Sequence, residues 1–467
     1  MATPNRLHAS HPRAASAPGR VSASAVVNWP YYAYFAAAAV MALPILQVAV
    51  PGAPALRPSS ILAALPLVAF AVQPSNWRRP SPLEFRVLVA FGVYIAVFAL
   101  EFARSIPNLG IFQAIDPTAF PAQRSTYINS YFFLHVMWAL PLVYVVWRFR
   151  TPADLVRLFG AISIGLVALS LFIIVNVAAH PEVLFSYNRT AMSALSASTF
   201  GMHYNEVAEI FVIVGPLLFY LAMTRGIYWI CVYAVSLLAI VLLESRTGLL
   251  IFLASNAAVL LTTGRVHLIL RFAIAMAGIL AVVVGGPLLA ARATAGLYQG
   301  GNSTFDMILN GRASGIWGPL LSEWTSDPGR FWFGAGEYSI LTSHNRMIGG
   351  IFRVSQAHNA FLEFFLDCGI LLSVVGAAVA VMLLFRGWKV ARKIHDELYW
   401  ALFLCVLAFA ISCFTGRRFF PHPDAALMFP LIGALINVAR LHLGEGHVRE
   451  TKRAGPAFRA TAGRVER

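Results

Sequence analysis

The residues best suited to chemistry lie in one short stretch, 355–363. There His358, Asn359 and Glu363 place an imidazole, an amide and a carboxylate within six positions, directly before a long apolar run. An imidazole with an ordinary pKa of ~6.5 can accept a proton from a hydroxyl near neutral pH. Asn359 and Glu363, four apart, share one face of a predicted helix, where they could orient a substrate or one another. A lone histidine is more often structural than catalytic, and spacing alone does not decide.

Two arginines are the second chemical feature. Arg246 follows Glu244 in a very short connector between two apolar runs, and Arg312 lies in the long polar stretch 291–357. A cation this close to lipid is costly unless it is paired or faces water. Arg246 is therefore either a partner of Glu244 or a fixed charge at the bilayer surface, where a lipid-borne phosphate would lie. Guanidinium groups suit phosphate because they donate in bidentate fashion.

The same polar stretch interleaves aromatic residues with arginine and glycine. Residues 311–321 predict the start of an amphipathic helix that contains Trp317, and residues 328–336 predict the turn that ends it. Aromatic rings near a membrane surface most often anchor a protein there. Their flat faces also suit sugar rings, so Trp317 is a candidate substrate ligand.

Composition indicates that these residues belong to a membrane protein. The chain is 59% hydrophobic and 12% charged, with a mean hydropathy of +0.71, unlike ordinary soluble domains. Helices are expected because lipid offers backbone groups no hydrogen-bond partners. The net charge of +15 falls mainly beside apolar runs, which favours topology signals and anionic lipid over nucleic acid. Four cysteines without CxxC spacing indicate neither a disulfide scaffold nor a zinc site.

Twelve apolar runs predict an all-α fold with about twelve transmembrane helices. They lie near 27–49, 59–74, 87–103, 129–147, 158–179, 206–223, 227–243, 248–263, 270–290, 363–385, 398–414 and 425–441. We expect a disordered basic tail (1–25), a nine-helix region (26–290), a large loop with short helices (291–357), three further helices (358–441) and a second basic tail (442–467). The first span should be retained, because no signal-peptide cleavage pattern follows it.

The positions of Lys and Arg predict the orientation of the chain. With the N-terminus in the cytoplasm, 23 of the 35 basic residues fall on the inner side, mostly in short connectors, as the positive-inside rule requires. Both termini are then cytoplasmic, and the loop 291–357 is periplasmic. Other polar residues on the outer side could extend the site or merely rim it; these are His203, Arg417, Arg418 and His422.

The order of these motifs resembles the O-antigen ligase and polymerase superfamily of bacterial envelopes. The matching segments are Ser-Arg-Thr-Gly at 245–248, Gly-Arg with Ile-Trp at 311–317, Gly-Ala-Gly at 334–336 and His-Asn-Ala-Phe-Leu-Glu at 358–363. Asn205, in 201–208, also resembles the family's entry to its sixth span. The motifs cover roughly 200–385, and the remainder agrees through topology.

The resemblance implies a GT-C-like glycosyltransferase that needs neither metal nor cofactor and takes a glycan from undecaprenyl pyrophosphate. Arg246 and Arg312 would hold the pyrophosphate, and His358 would activate the acceptor hydroxyl. The resemblance also implies that the protein lies in the bacterial inner membrane, together with other polysaccharide-assembly proteins. Independently, transfer from a pyrophosphate requires a base and fixed positive charge at the leaving group.

The acceptor remains open. The chain could join one lipid-linked repeat to another as a polymerase, or move a finished glycan to lipid A core or to protein as a ligase. A small-anion transporter of the same superfamily is the alternative. A transporter should carry ionisable residues or broken helices near mid-membrane, where Glu209 is the main predicted buried acid.

Overall fold

A computed structural model of the protein describes residues 28–41, 43–48, 57–117, 120–180, 182–183, 189–263, 312–344, 357–414 and 426–443. Throughout these ranges the chain is helical and contains no strand. Five stretches are long and apolar enough to cross a membrane: Pro82–Ile115, Arg124–Arg148, Pro152–Ala178, Tyr204–Arg225 and Ala360–Ile394. The protein is therefore an all-α membrane protein, as the composition predicts.

The helices are numbered in chain order. The first part of the chain contains α1 (Trp29–Ala38), α2 (Pro44–Gln47), α3 (Pro58–Val72), α4 (Pro82–Ser105), α5 (Leu109–Ile115), α6 (Arg124–Tyr127), α7 (Leu134–Ala139), α8 (Pro141–Arg148) and α9 (Pro152–Ala178). The second part contains α10 (Arg189–Phe200), α11 (Tyr204–Arg225), α12 (Ile227–Leu242), α13 (Arg246–Thr262), α14 (Gly318–Ser326), α15 (Pro328–Phe333), α16 (Ala360–Ile394), α17 (Glu397–Ser412) and α18 (Met428–His442). Single turns of 3₁₀-helix lie at Pro74–Asn76, Ile106–Asn108 and Ser339–Thr342, and π-helical turns at Ile128–Phe133 and Ala313–Trp317.

Most predicted spans coincide with a helix, although their lengths differ. The runs at 59–74, 227–243, 248–263, 398–414 and 425–441 form apolar helices of 10–17 residues, shorter than the ~20 residues that cross a bilayer without tilt or thinning. The run at 27–49 is not one helix, because Leu43 turns to an extended conformation before Pro44, as residues before proline prefer. The run at 270–290 lies outside the described residues.

Two of the segments predicted to be outer loops contain more structure than the sequence predicts. The connector 180–205 contains α10, which was not expected. The helix expected from residue 311 ends at Asp327, and Pro328 begins a second helix instead of a closing turn. Asp327 causes this break because its side chain accepts hydrogen bonds from the N–H groups of Gly329 and Arg330 at 2.8 and 3.2 Å, the role of an N-cap.

The centre of the bundle is α11, which is buried along most of its length and packs against α12, α13 and α17. Close approach depends on Gly215, where an added Cβ would lie 2.6 Å from the ring of Phe252 in α13. A polar pair crosses the same core, since Asn256 Nδ2 donates to the Tyr233 hydroxyl at 3.0 Å. The helices that begin after His203 and at Arg246 are thus fixed by one shared core.

The helices place different polar groups at the two ends of the bundle. At one end Arg225, Asp396 and His442 line a single cavity of about 140 Å³ together with the start of α9, and Arg440 lies 3.1 Å from Glu84. At the other end the Ala360 N–H donates to the Cys413 carbonyl at 2.8 Å, joining the start of α16 to the end of α17. We call these the Glu84 end and the His358 end.

A break in α16 anchors the large loop. Gly369 has φ +76° inside the helix, and a Cβ there would lie 2.4 Å from the Trp332 carbonyl oxygen. The carbonyls exposed by the break accept from the loop: Ala335 N–H donates to Leu366 at 2.9 Å, and Gly336 N–H to Asp367 at 3.0 Å. The Gly-Ala-Gly segment therefore packs directly on the backbone of α16.

Candidate functional site at the His358 end

The start of α16 positions His358. Asn359 is the N-cap, and its Oδ1 accepts from the N–H groups of Phe361 and Leu362 at 3.0 and 3.1 Å, which satisfies two donors of the first turn. The structure therefore gives the Asn359 carbonyl oxygen a capping task, while its contact with a substrate stays a prediction. Glu363 lies one turn further along and is buried, with 3% of its surface exposed.

The backbone at His358 is held in a conformation that few residues adopt. Its φ is +54°, in the left-handed region that costs roughly 1–2 kcal/mol for an L-residue. The preceding residue, Ala357, is fully buried, and its carbonyl accepts from Trp317 Nε1 at 2.8 Å. The predicted ligand Trp317 thus supports the segment beside His358 from the opposite side of the loop, and strain of this kind often accompanies functional sites.

The surroundings of His358 keep its imidazole neutral. Burial contributes most, followed by the positive charge of Arg312 and then of the nearby His203, and together they lower the pKa of His358 to about 4. A charged imidazole is disfavoured because it loses hydration and meets positive charge. The pKa of ~6.5 assumed from sequence is therefore replaced by a value that leaves His358 a proton acceptor throughout the neutral range.

His203 joins the site through the start of α11. It is the N-cap residue, and its Nδ1 accepts from the Asn205 N–H at 3.3 Å. Because Nδ1 accepts, the neutral ring carries its proton on Nε2. Asn205 itself is exposed at this end of the bundle. Sequence reasoning left His203 as an extension or a rim of the site, and the structure brings it within electrostatic reach of His358.

Arg246 begins α13 and is half-buried. The preceding Ser245 caps the helix by accepting from the Gly248 N–H at 3.3 Å. At Gly248 an added Cβ would lie 3.1 Å from the Cβ of Ala208, so the first turn of α13 packs on the second turn of α11. Arg246 is thereby held at the same end of the bundle as His203.

Arg312 is half-buried and precedes the π-helical turn Ala313–Trp317. Single π turns occur frequently at functional sites because they re-aim side chains. This turn carries Arg312 at its start and Trp317 at its end, and both act on the His358 segment, the first by charge and the second by a hydrogen bond. The two motifs that are far apart in sequence therefore meet.

Another arginine of the loop has a structural task that the sequence did not reveal. Arg330 donates to Glu323 at 2.8 Å and lies 4.7 Å from the Trp324 ring. Glu323 also accepts from Ser343 Oγ at 2.5 Å and from the His344 N–H at 2.8 Å. Arg330 thus fixes the loop, and the aromatic residues that follow it at 331–333 were its sequence signal.

Of the remaining site predictions, one is corrected by the structure and three concern residues outside the described ranges. Glu209 is half-buried, whereas Glu101 and Asp367 are exposed by 0% and 3%, so the prediction that Glu209 is the main buried acid is wrong. Arg417, Arg418 and His422 lie outside the described residues. Among the described residues no group of three His, Cys, Asp or Glu side chains has the arrangement of a metal site.

The arrangement combines a neutral imidazole with fixed positive charge. The start of α16 and the start of α11 approach the same region, and helix starts carry partial positive charge that favours anions. His358 can accept a proton, and Arg312 can stabilise negative charge beside it. Neither a protein-family model nor a curated protein matches this chain.

Proposed function

We propose that the protein is a glycosyltransferase that takes a glycan from an undecaprenyl-pyrophosphate carrier and transfers it to a hydroxyl. The observation that carries this proposal is the position of Arg312 beside a neutral, half-buried His358. A pyrophosphate leaving group requires fixed positive charge, and an acceptor hydroxyl requires a base. Both needs are met at one end of the bundle.

In the proposed reaction, the acceptor oxygen bonds to the anomeric carbon as the bond from that carbon to the carrier pyrophosphate breaks. His358 accepts the hydroxyl proton, and the departing pyrophosphate keeps the bonding electrons. Arg312 and Arg246 stabilise the added charge. Binding of the anion beside Arg312 also raises the basicity of His358, because it offsets the cation that lowers the pKa. Binding of the donor thus makes His358 a stronger base for the transfer reaction.

The proposal includes a place and an architecture. It assumes a GT-C-like arrangement of about twelve spans in a bacterial inner membrane, with both termini cytoplasmic and the His358 end periplasmic. The arginines grouped at the Glu84 end support this orientation, since cytoplasmic connectors are enriched in Lys and Arg. The resemblance through short motifs supports the same assignment. It does not separate a ligase from a polymerase.

One observation favours a transporter as the second candidate. The break of α16 at Gly369 lies near the buried acids Glu101 and Asp367, and broken helices with buried acids mark many transport sites. However, the Leu366 carbonyl accepts from both Trp324 Nε1 and the Ala335 N–H at 2.9 Å. Because the loop already uses these groups, the break supports loop anchoring better than ion binding.

The decisive experiment supplies purified protein in lipid discs with a lipid-linked oligosaccharide and a glycan acceptor. Transfer with release of undecaprenyl pyrophosphate is the expected result, and a deletion strain separates the two subclasses. Loss of long glycan chains indicates a polymerase, and accumulation of full-length glycan on the carrier indicates a ligase. Anion uptake into vesicles without any transfer would instead establish the transporter.

A further inference from the structure

The Glu84 end contains a buried carboxylate with more cations than it can neutralise. Glu84 is exposed by only 1%, and it accepts from Arg78 at 2.8 and 2.9 Å, from Arg440 at 3.1 Å and from Arg150. Three guanidinium groups therefore surround one carboxylate, which leaves an excess of two positive charges. An excess of this kind near a membrane attracts anionic lipid.

A fourth cation adds to this charge. Arg148 donates to Ser75 at 2.9 Å, to Asn76 at 3.1 Å and to Asn28 at 3.0 Å, and all three partners are neutral. Asp154, the next acid along the chain, lies 3.8 Å from Arg157 and so balances a different cation. Glu84 and Asp154 therefore offset two of the five arginines named here.

An apolar cavity lies directly beside the cations. It has a volume of about 480 Å³ and is formed by the end of α3, the connector to α4, and one face each of α4 and α8. Phe70, Leu88 and Val143 form its apolar wall together with the Trp147 ring, and Asn76 and Arg78 supply its polar groups. This volume falls within the range of small-molecule sites, ~300–1,000 Å³.

Arg78 supplies the donors that a ligand in this cavity would meet. It lies 4.5 Å from the Trp147 ring, and its five N–H groups exceed the three hydrogen bonds it makes with Glu84 and the Arg79 carbonyl. Trp147 contributes its ring to the wall, because its Nε1 is buried and does not open onto the cavity. The remaining N–H groups of Arg78 can therefore donate to an anionic ligand.

The cavity is bordered by side chains that face lipid. Val68 and Val72 in α3 are exposed by 56% and 70%, and Phe85 and Val89 in α4 by 59% and 50%. In a membrane-spanning bundle, such apolar surfaces contact acyl chains. A molecule that enters here thus meets an apolar wall first and donors with positive charge at the rim.

We propose that this cavity binds one anionic phospholipid, with an acyl chain against Phe70, Leu88 and Val143 and the phosphate beside Arg78. The apolar wall requires a hydrocarbon chain, and the excess cations require a negative headgroup. The inference is independent of the glycosyltransferase proposal, since it concerns the opposite end of the bundle and needs no reaction.

The test measures lipid binding to delipidated full-length protein by native mass spectrometry and by thermal unfolding. The probes are phosphatidylglycerol, phosphatidylcholine with the same acyl chains, and glycerol 3-phosphate. Phosphatidylglycerol should bind and raise the unfolding temperature, while the other two should bind at least about ten-fold more weakly, as the loss of one hydrogen bond to a charged group predicts. Equal binding of both phospholipids would overturn the proposal, as would full stabilisation by glycerol 3-phosphate.

Two variants locate the site. Arg78→Gln removes the guanidinium group at the cavity, while Arg150 and Arg440 still neutralise Glu84, so phosphatidylglycerol should bind about ten-fold more weakly. Leu88→Trp fills the cavity and should reduce binding without changing any charge. Arg79→Gln is the matched control, because it removes the same charge from the next residue, which is exposed and does not line the cavity. Wild-type binding by both Arg78→Gln and Leu88→Trp would place the lipid elsewhere and end the proposal.

Discussion

The two ends of the bundle use arginine in opposite ways. At the Glu84 end, three guanidinium groups donate to one buried carboxylate, and this joins α4, α8 and α18. At the His358 end, Arg312 acts on an imidazole and lowers its pKa together with burial. The first arrangement stabilises the fold, because charge meets opposite charge. The second keeps His358 neutral beside the positively charged Arg312, and this arrangement serves a reaction only when an anion binds there.

The largest expected difference between the ends is accessibility in the cell. An exposed cysteine at the His358 end, Ser322→Cys, should react with an impermeant thiol reagent in cells whose outer membrane is permeable. One at the Glu84 end, Thr224→Cys, should not react, because the positive-inside rule places that end in the cytoplasm. Both parent positions are exposed.

The background for this labelling is a Cys231→Ser protein, since Cys231 is exposed and the other three cysteines are buried. Ser339 is a poor reporter although it lies in the large loop, because it is buried and donates to Asp367 at 2.6 Å. Reaction of the cysteine at 224 but not of the one at 322 would invert the orientation and remove the periplasmic site.

The second prediction concerns His358→Asn. Loss of a positioned base should reduce the transfer rate by roughly 10²- to 10⁴-fold, measured with purified enzyme and lipid-linked donor. Asparagine is chosen because it tolerates positive φ, so the backbone at +54° is kept. Carrier binding should change little, because the arginines hold the pyrophosphate.

His358→Ala is the informative companion. Alanine disfavours the left-handed conformation, so this variant should lose both activity and some stability, while the asparagine variant loses activity alone. If purified His358→Asn transfers glycan at the normal rate, the imidazole is not the base. Glu363 and His422 would then be the next candidates.

The third prediction tests the opposite end. Glu84→Gln leaves three guanidinium groups around a neutral amide, and breaking a buried ion pair typically costs roughly 3–5 kcal/mol. The expected result is a large fall in unfolding temperature with normal specific activity in the surviving protein. Glu182→Gln, at an exposed position, is the control. A thermally unchanged Glu84→Gln protein would show that the cluster contributes no net stability.

These two clusters also show what sequence could and could not predict. The long spans were predictable, because their apolar runs are 17–23 residues long and Ser81 with Glu84 forms a capping box at the start of α4. The partners of Glu84 were not, since Arg78, Arg150 and Arg440 lie 6, 66 and 356 residues away. Local patterns carry no information about such contacts.

The candidate site was partly predictable for the same reason. His358, Arg312 and Trp317 were selected by residue type and motif order, and the structure brings them together. The effect of His203 on His358 was not visible, because it depends on how near the fold brings the start of α11 to the start of α16. The prediction that Glu209 is the main buried acid was wrong, because hydropathy along the chain does not show which face of a helix is covered by the neighbouring helices.

The fourth prediction separates geometry from charge. Arg312→Lys keeps the positive charge but loses the planar fork that matches phosphate, so we expect a loss of roughly 10- to 100-fold in kcat/KM, comparable to one or two charge-assisted hydrogen bonds. Arg246→Lys should behave similarly. Arg330→Lys is the control, because Arg330 serves the loop through Glu323 and should affect stability more than turnover. Normal turnover in both site variants would assign Arg246 and Arg312 to structure alone.

The smallest predicted effect concerns pH. Because the pKa of His358 in the free enzyme is about 4, kcat/KM should show no acidic limb near pH 6.5. Arg312 lowers this pKa, so Arg312→Gln should shift the limb toward neutral pH in its residual activity. His203→Gln should shift it in the same direction by less, since His203 is the weaker cause. The same pKa difference makes folding depend on pH: the stability contribution of His358 is fully present above pH ~6.5 and is lost progressively as pH falls toward 4, because the unfolded chain takes up the proton first. Profiles of rate against pH for the wild type and both variants test the predicted limbs, with the limb of kcat in the donor complex expected at higher pH than the limb of kcat/KM. A wild-type limb at pH 6.5 that Arg312→Gln leaves in place would mean that the two residues do not interact, and the pairing that distinguishes this end of the molecule would be wrong.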